Sequence, residues 1–175
     1  MPPDRRMLRD IQSAYRGMKL AQLDQGEWVQ WFRYNQAAST SHPVYDTGPL
    51  RQWYPSITVP VWLGEYSRAG RNFDDDGLYL VDRVNVIMSY DAFFHSTMPD
   101  PDPYGNDHVK DRVAYDGHIF KVDSFLPRGR VASYFLTISV ALTELAQSEM
   151  AEDGILGNSL FTPYLNVADI SGGVL

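Results

Sequence analysis

Asp116-Gly117 is the feature that most constrains this chain. It stands between Arg112-Val113-Ala114-Tyr115 and His118-Ile119-Phe120-Lys121-Val122. Asp-Gly between two strand-like runs is the strongest short signal for a two-residue hairpin turn, whose central residues both need positive φ. Downstream, Tyr134, Leu136, Ile138, Val140 and Leu142 alternate with Phe135, Thr137, Ser139, Ala141 and Thr143. Such a period of two gives a long strand with one apolar and one largely polar face. Upstream, Trp28 to Tyr34 and Leu78 to Met88 are rich in aromatic and β-branched residues and read as strands. Ile57-Thr58-Val59 and Val61-Trp62-Leu63 form another strand region, and Pro60 between them predicts an edge strand or a bend. Short strands with frequent turns indicate a mainly β chain, a small barrel or sandwich.

The flanks differ in kind. Asp4 follows two prolines and can cap a helix on which Leu8, Ile11, Tyr15 and Met18 recur at helical spacing. Gly17 ends or weakens this helix, Leu20 and Leu23 extend its stripe, and Gly26 punctuates before the first strand. One stripe does not name its partner: the helix packs on its own barrel or on a neighbouring ring. Asn35 to Ser41 reads as a loop, Val44 to Pro49 as a turn cluster, and Tyr66 to Gly77 as a polar loop. Ser89 to Asp111 reads as a long irregular segment, because Pro99, Pro101 and Pro103 forbid helix. Beyond Glu144, glycines and Pro163 punctuate a tail that still carries Leu160, Phe161, Tyr164, Leu165 and Ile170. That tail is too apolar for a plain linker and lies on its own barrel or on an adjacent subunit. The expected organisation is an N-terminal helical arm over 1–25, a β-barrel domain with long loops over 26–145, and an extended C-terminal arm over 146–175.

Composition excludes several functions. The 175 residues, 44% hydrophobic and 13% aromatic, suffice for a real core in one domain. A net charge of −7 argues against gripping nucleic acid by counterion release, and the aromatics Trp28, Trp31, Trp53 and Trp62 lack the basic groove of a single-strand reader. There is no cysteine, which removes disulfides, thiolate metal sites and cysteine nucleophiles. No signal peptide and no membrane span is read. His42, His95, His108 and His118 form no zinc motif and are expected to be surface or partly buried loop residues. Neither a nucleophile elbow nor a phosphate loop occurs. Asp100, Asp102, Gly105 and Asp111 match positions one, three, six and twelve of a calcium loop. Position five is Tyr104, position twelve lacks the bidentate Glu, and prolines intrude, so a solvated acidic loop is the expectation. No cofactor, metal or catalytic constellation is therefore expected.

The order of features nevertheless has a likeness. Gly26-Glu27-Trp28-Val29-Gln30-Trp31 resembles the strand that opens the barrels of siphophage head-to-tail stopper proteins. Val44-Tyr45-Asp46, then Val59-Pro60-Val61-Trp62-Leu63-Gly64, is similar to the next part of that pattern. Asp111 to Val122 resembles the family's late hairpin, and Tyr134 to Leu142 its closing strand. The likeness spans roughly 26–145 and rests on order and pattern, with no catalytic signature.

It implies a structural virion protein and no enzyme: a homo-oligomeric ring subunit in the phage neck, assembled in the host cytoplasm. The ring would have a portal or adaptor ring above it and a tail terminator or tail tube below. Double-stranded DNA would pass through its lumen without specific binding, and a long loop projecting into that lumen would help retain packaged DNA. The alternatives are a tail terminator or other neck ring protein and, ranked below, a small metal-binding module or hydrolase. Two acidic segments are candidate lumen loops, one with Asp74, Asp75 and Asp76 and one with Asp100 and Asp102, and the first is preferred. Candidate subunit contacts are Leu8, Ile11, Tyr15 and Met18 on the helix and Leu160, Phe161 and Tyr164 in the tail.

Overall fold

The computed structural model describes residues 5–39, 51–74, 77–95, 98–99, 106–130 and 135–165. Asp116 and Gly117 take φ values of 48° and 82°, as a two-residue hairpin turn requires. They join β4 (Arg112–Tyr115) to β5 (His118–Arg128), paired from Tyr115↔His118 to Arg112↔Lys121. With β1 (Glu27–Phe32), β2 (Ile57–Asp74), β3 (Gly77–Ser89) and β6 (Thr137–Glu144) these strands close a six-stranded antiparallel barrel in the order β1-β2-β3-β6-β5-β4. The chain is thus mainly β, with one long N-terminal helix. Closure leaves no open sheet edge in the barrel wall.

Strand alternation builds the core. Ile138, Val140 and Leu142 point inward, as their period of two predicts, and meet Val84, Val86 and Met88 of β3 and Val29 and Trp31 of β1. Two described stretches of Ser89–Asp111 are helical, where the sequence suggested an irregular segment. Its first residues form α2 (Tyr90–His95), and Asn106–Lys110 forms a 3-10 turn. Phe93 of α2 is fully buried in the barrel core, 4.9 Å from the Trp31 ring and 5.3 Å from Phe125.

β2 meets one expectation, Pro60 at a locally unpaired edge, and corrects another. Pro60 does not break it: Trp28↔Pro60 belongs to the β1 ladder, and pairing with β3 begins only at Trp62↔Ile87. The proline sits where only one flank of the strand is occupied, so no β3 hydrogen bond is lost. The supposed loop is strand from Tyr66 to Asp74 and again at Gly77. β2 and β3 pair through to Asp74↔Gly77, with irregularities between Leu63 and Tyr66 and between Ser67 and Gly70 absorbing the mismatched register.

The N-terminal helix α1 runs unbroken over Arg5–Gln25, so Gly17 neither ends nor splits it. Ile11 is buried, Leu8, Tyr15 and Met18 are half-buried, and Tyr15 donates its hydroxyl hydrogen to the Phe135 carbonyl. The stripe is completed by Gln22 instead of Leu20 or Leu23, which are exposed. Gln22 is fully buried, accepting from the Ser89 amide (3.0 Å) and donating to the Ile87 carbonyl (3.2 Å). Of the two partners open to this helix, the structure shows its own barrel. A Cβ at Gly26 would lie 2.3 Å from the Gln22 carbonyl oxygen and 2.9 Å from that of Val61, so only glycine permits the direct turn into β1.

Where β4 begins, one carboxylate joins three parts of the fold. Asp111 accepts from the Trp31 indole (2.8 Å), the Arg33 guanidinium (2.9 Å) and the Tyr34 backbone N–H (2.9 Å), and pairs with His108 Nδ1 (2.6 Å). Arg33, His108 and Asp111 are all buried. Removing one member of a buried ion pair strands the other charge, at a cost of roughly 3–5 kcal/mol. Asp111→Ala should therefore lower the urea midpoint sharply, with a loss of about that size. A loss under about 1 kcal/mol would show that the cluster contributes little.

Candidate functional site

A histidine paired with a carboxylate is the usual beginning of a general base, so the Asp111–His108 pair is the first place to look for chemistry. Nδ1 of His108 is taken up by the Asp111 carboxylate, so Nε2 is the ring nitrogen that a substrate would have to reach. Nε2 is buried and has no hydrogen-bond partner. The ring stacks on Phe125 at 4.4 Å, with Phe93 at 5.3 Å and Trp31 at 6.3 Å. Among the described residues the pair thus sits in the core, with Nε2 enclosed by aromatic rings. His108 is accordingly a core residue, not the loop histidine its polar neighbours suggested. Asp111, position twelve of the calcium-like spacing, has its oxygens taken by protein donors, while Asp100 and Asp102 lie outside the described residues. Among the described residues no group of three or more His, Cys, Asp or Glu side chains is placed to hold a metal ion. Nor is any helix there long and apolar enough to cross a membrane.

The second histidine–carboxylate pair, His118 Nδ1 to Glu144 Oε1 at 2.7 Å, bridges β5 and β6 and is partly exposed. His42 lies outside the described residues.

What distinguishes this barrel is a projection. β1 accompanies β2 only as far as Val61, and β6 accompanies β3 only from Arg83 onward. Beyond those points β2 and β3 pair with each other alone, ending at Asp74↔Gly77. Six residues separate Arg83 from Gly77, so the ribbon leaves the barrel wall by roughly 20 Å at strand rise. Asp74 sits at its tip, and Asp75 and Asp76 lie outside the described residues.

The tail up to Leu165 takes the nearer of its two possible partners, its own barrel. α3 (Gln147–Glu152) and a 3-10 turn at Thr162–Tyr164 fold it over the outer face of β1 and β4. Met150, Ile155, Phe161 and Leu165 bury Phe32, Ala114 and Ile119 there in a second core. Phe161, one of the candidate subunit contacts, lies 4.3 Å from Phe32 in a tilted ring pair and is 0% exposed within this chain. Leu160 and Tyr164 are half-buried against the same cluster, and Ile11 of α1 is likewise buried within the chain. Asp153 fixes the segment electrostatically, accepting from Arg112 Nε at 2.9 Å and from Arg51. The apolar tail residues signalled in sequence a tail lying on its own barrel or on an adjacent subunit, but the partner positions on β1 and β4 carried no such signal.

No family model matches the chain, and no curated protein matches its sequence. Among solved structures it is similar to a chain of "Virion of native gene transfer agent (GTA) particle", with 11% identity and a TM-score of 0.41, covering 68% of this chain and 94% of that one.

Phe161→Ala should test whether the tail is structural. Large-to-small changes of buried aromatics cost about 3–5 kcal/mol, so its melting temperature should fall by many degrees. An unchanged melting curve would mean that the tail only rests on the barrel.

Proposed function

We propose that this chain is a structural virion protein with no enzymatic activity, a ring subunit of the head-to-tail connector in a phage-like particle. It would join a portal or adaptor ring above to a tail terminator or tail tube below, and help retain packaged DNA. The observation that carries this reading is the β2–β3 ribbon. A closed barrel is a stiff block without a free sheet edge, and this one extends a single two-stranded arm tipped by Asp74. The order of strands and the Asp-Gly hairpin, which resemble the stopper family, support the same reading. So does the chemistry of the buried groups, where both aspartates with arginine partners stabilise the fold.

The ribbon suits a channel. Repeated around a ring, the run Asp74-Asp75-Asp76 makes a collar of negative charge. DNA in transit is best not held, because each phosphate neutralised by lysine or arginine adds salt-sensitive affinity. An acidic collar repels the backbone while the arm narrows the bore.

The test is complementation of a phage lacking this gene product. Without complementation, negative-stain images should show filled heads without tails, or heads that leak DNA. The wild-type chain should restore whole particles. A variant with Asp74, Asp75 and Asp76 changed to lysine should also restore them, but with DNA ejection slowed at least several-fold. Normal tailed particles without the product would contradict the connector reading. Ejection kinetics identical to wild type would place the tip outside the bore.

A further inference from the structure

The register of the barrel brings together residues that are far apart in sequence. Trp62↔Ile87, Ile87↔Ser139 and Leu126↔Ser139 are cross-strand partners, so Trp62, Ile87, Ser139 and Leu126 form one row across β2, β3, β6 and β5. Their neighbours Val86, Val140 and Phe125 point into the core, so this row points out. Ile87 is 40% exposed and Leu126 45%. The adjacent outward row on one side, Asn85, Ala141 and Ser124, carries no large side chain, while on the other side Ser89 is buried beside Gln22 of α1. Exposed Arg83 and Arg128 lie on the same face, on either side of it.

A second, different patch lies on the other side. Trp28 of β1 is 51% exposed and borders a groove of about 330 Å³ whose walls include Gln30, Ala114, Pro163 and Tyr164. Asp116 at the hairpin tip lines this groove, and Glu27 adjoins Trp28. In the strand order β1-β2-β3-β6-β5-β4, β1 is diametrically opposite β6, and β4 opposite β3. The two patches therefore occupy opposed walls of one barrel. One is an apolar ridge flanked by arginines, and the other is a largely polar groove bordered by the exposed Trp28 ring and flanked by acids.

We infer that these walls are the two halves of one head-to-tail interface, and that the occupant of each is a second copy of this chain. Unlike patches cannot form an isologous dimer, in which one surface meets itself. Joined to each other they propagate from copy to copy, and the chain of contacts closes into a ring when the rotation allows. Leu126 and Ile87 of one copy enter beside Trp28 of the next, with Arg83 and Arg128 facing Glu27 and Asp116. This deepens the ring-subunit reading and rests on it for its biological setting.

The chain has no cysteine, so thiols can be placed at will. Gln30→Cys marks the groove wall and Ser139→Cys the ridge wall, with the core between them inside one copy. Treated with a short bismaleimide, the purified double variant should give a ladder of dimers, trimers and larger species. A mixture of the two single variants should give dimers only, and each single variant alone none. Adding Leu126→Asp to the double variant should abolish the ladder, and because this side chain is half-exposed the melting temperature should hold. Dimers from either single variant alone, or a ladder indifferent to Leu126→Asp, would overturn the interface. So would the absence of a ladder both in solution and in complemented particles. A ladder in solution from a chain that never enters particles would keep the interface and reject the connector reading. Normal incorporation without a ladder would do the reverse.

Discussion

Asp111 gives up water and recovers its hydrogen bonds from Trp31, Arg33, the Tyr34 amide and His108. Each partner belongs to a different job. Trp31 is the centre of the barrel core, Tyr34 prolongs β1 towards Trp53, and His108 anchors the segment that returns the chain to β4. The next residue, Arg112, continues the chain of contacts outward to Asp153, which holds the tail. Two adjacent residues thus tie the barrel to both of its additions. Buried charges are costly unless hydrogen-bonded. The Asp111 carboxylate is satisfied only when β1, the start of β4 and the 3-10 turn are in place at once, even though His108 Nε2 has no partner. Such a cluster favours a single arrangement over looser alternatives of similar hydrophobic burial.

A fixed block is what the remaining features need. The ribbon of β2 and β3 has no third strand beyond the barrel wall, and a two-stranded hairpin is marginal by itself. Its direction is set where both strands are still clamped, β2 by β1 and β3 by β6. The opposed ridge and groove likewise depend on strand register. A one-residue slip would carry Ile87 and Leu126 inward and turn Val86 and Phe125 out. Barrel closure, the register and the buried cluster are therefore one constraint seen from three sides.

Parts of this were legible from residues alone, for reasons specific to each. The β4–β5 hairpin follows from a dipeptide whose backbone preference is local. The inward face of β6 follows from a period of two that holds over the whole strand. The ribbon was hidden because Gly64, Gly70 and the polar residues between them have loop composition, and only the partner strand makes them a strand. α2 was hidden by the prolines that follow it, although Phe93 and Phe94 are an odd pair for a solvated loop. The Asp111 cluster was beyond reach, since Trp31 and Arg33 lie 80 and 78 residues away from it. Gln22 was missed because an apolar stripe does not predict a buried amide.

Barrel, ribbon and opposed walls are proposed to serve assembly around a channel. Cryo-electron microscopy of the intact particle's neck addresses it most directly. The account predicts a closed ring of six-stranded barrels in side-to-side contact, with the tips at Asp74 and Gly77 nearest the axis. A neck without this barrel, or a ring whose ribbons point away from the bore, would contradict it.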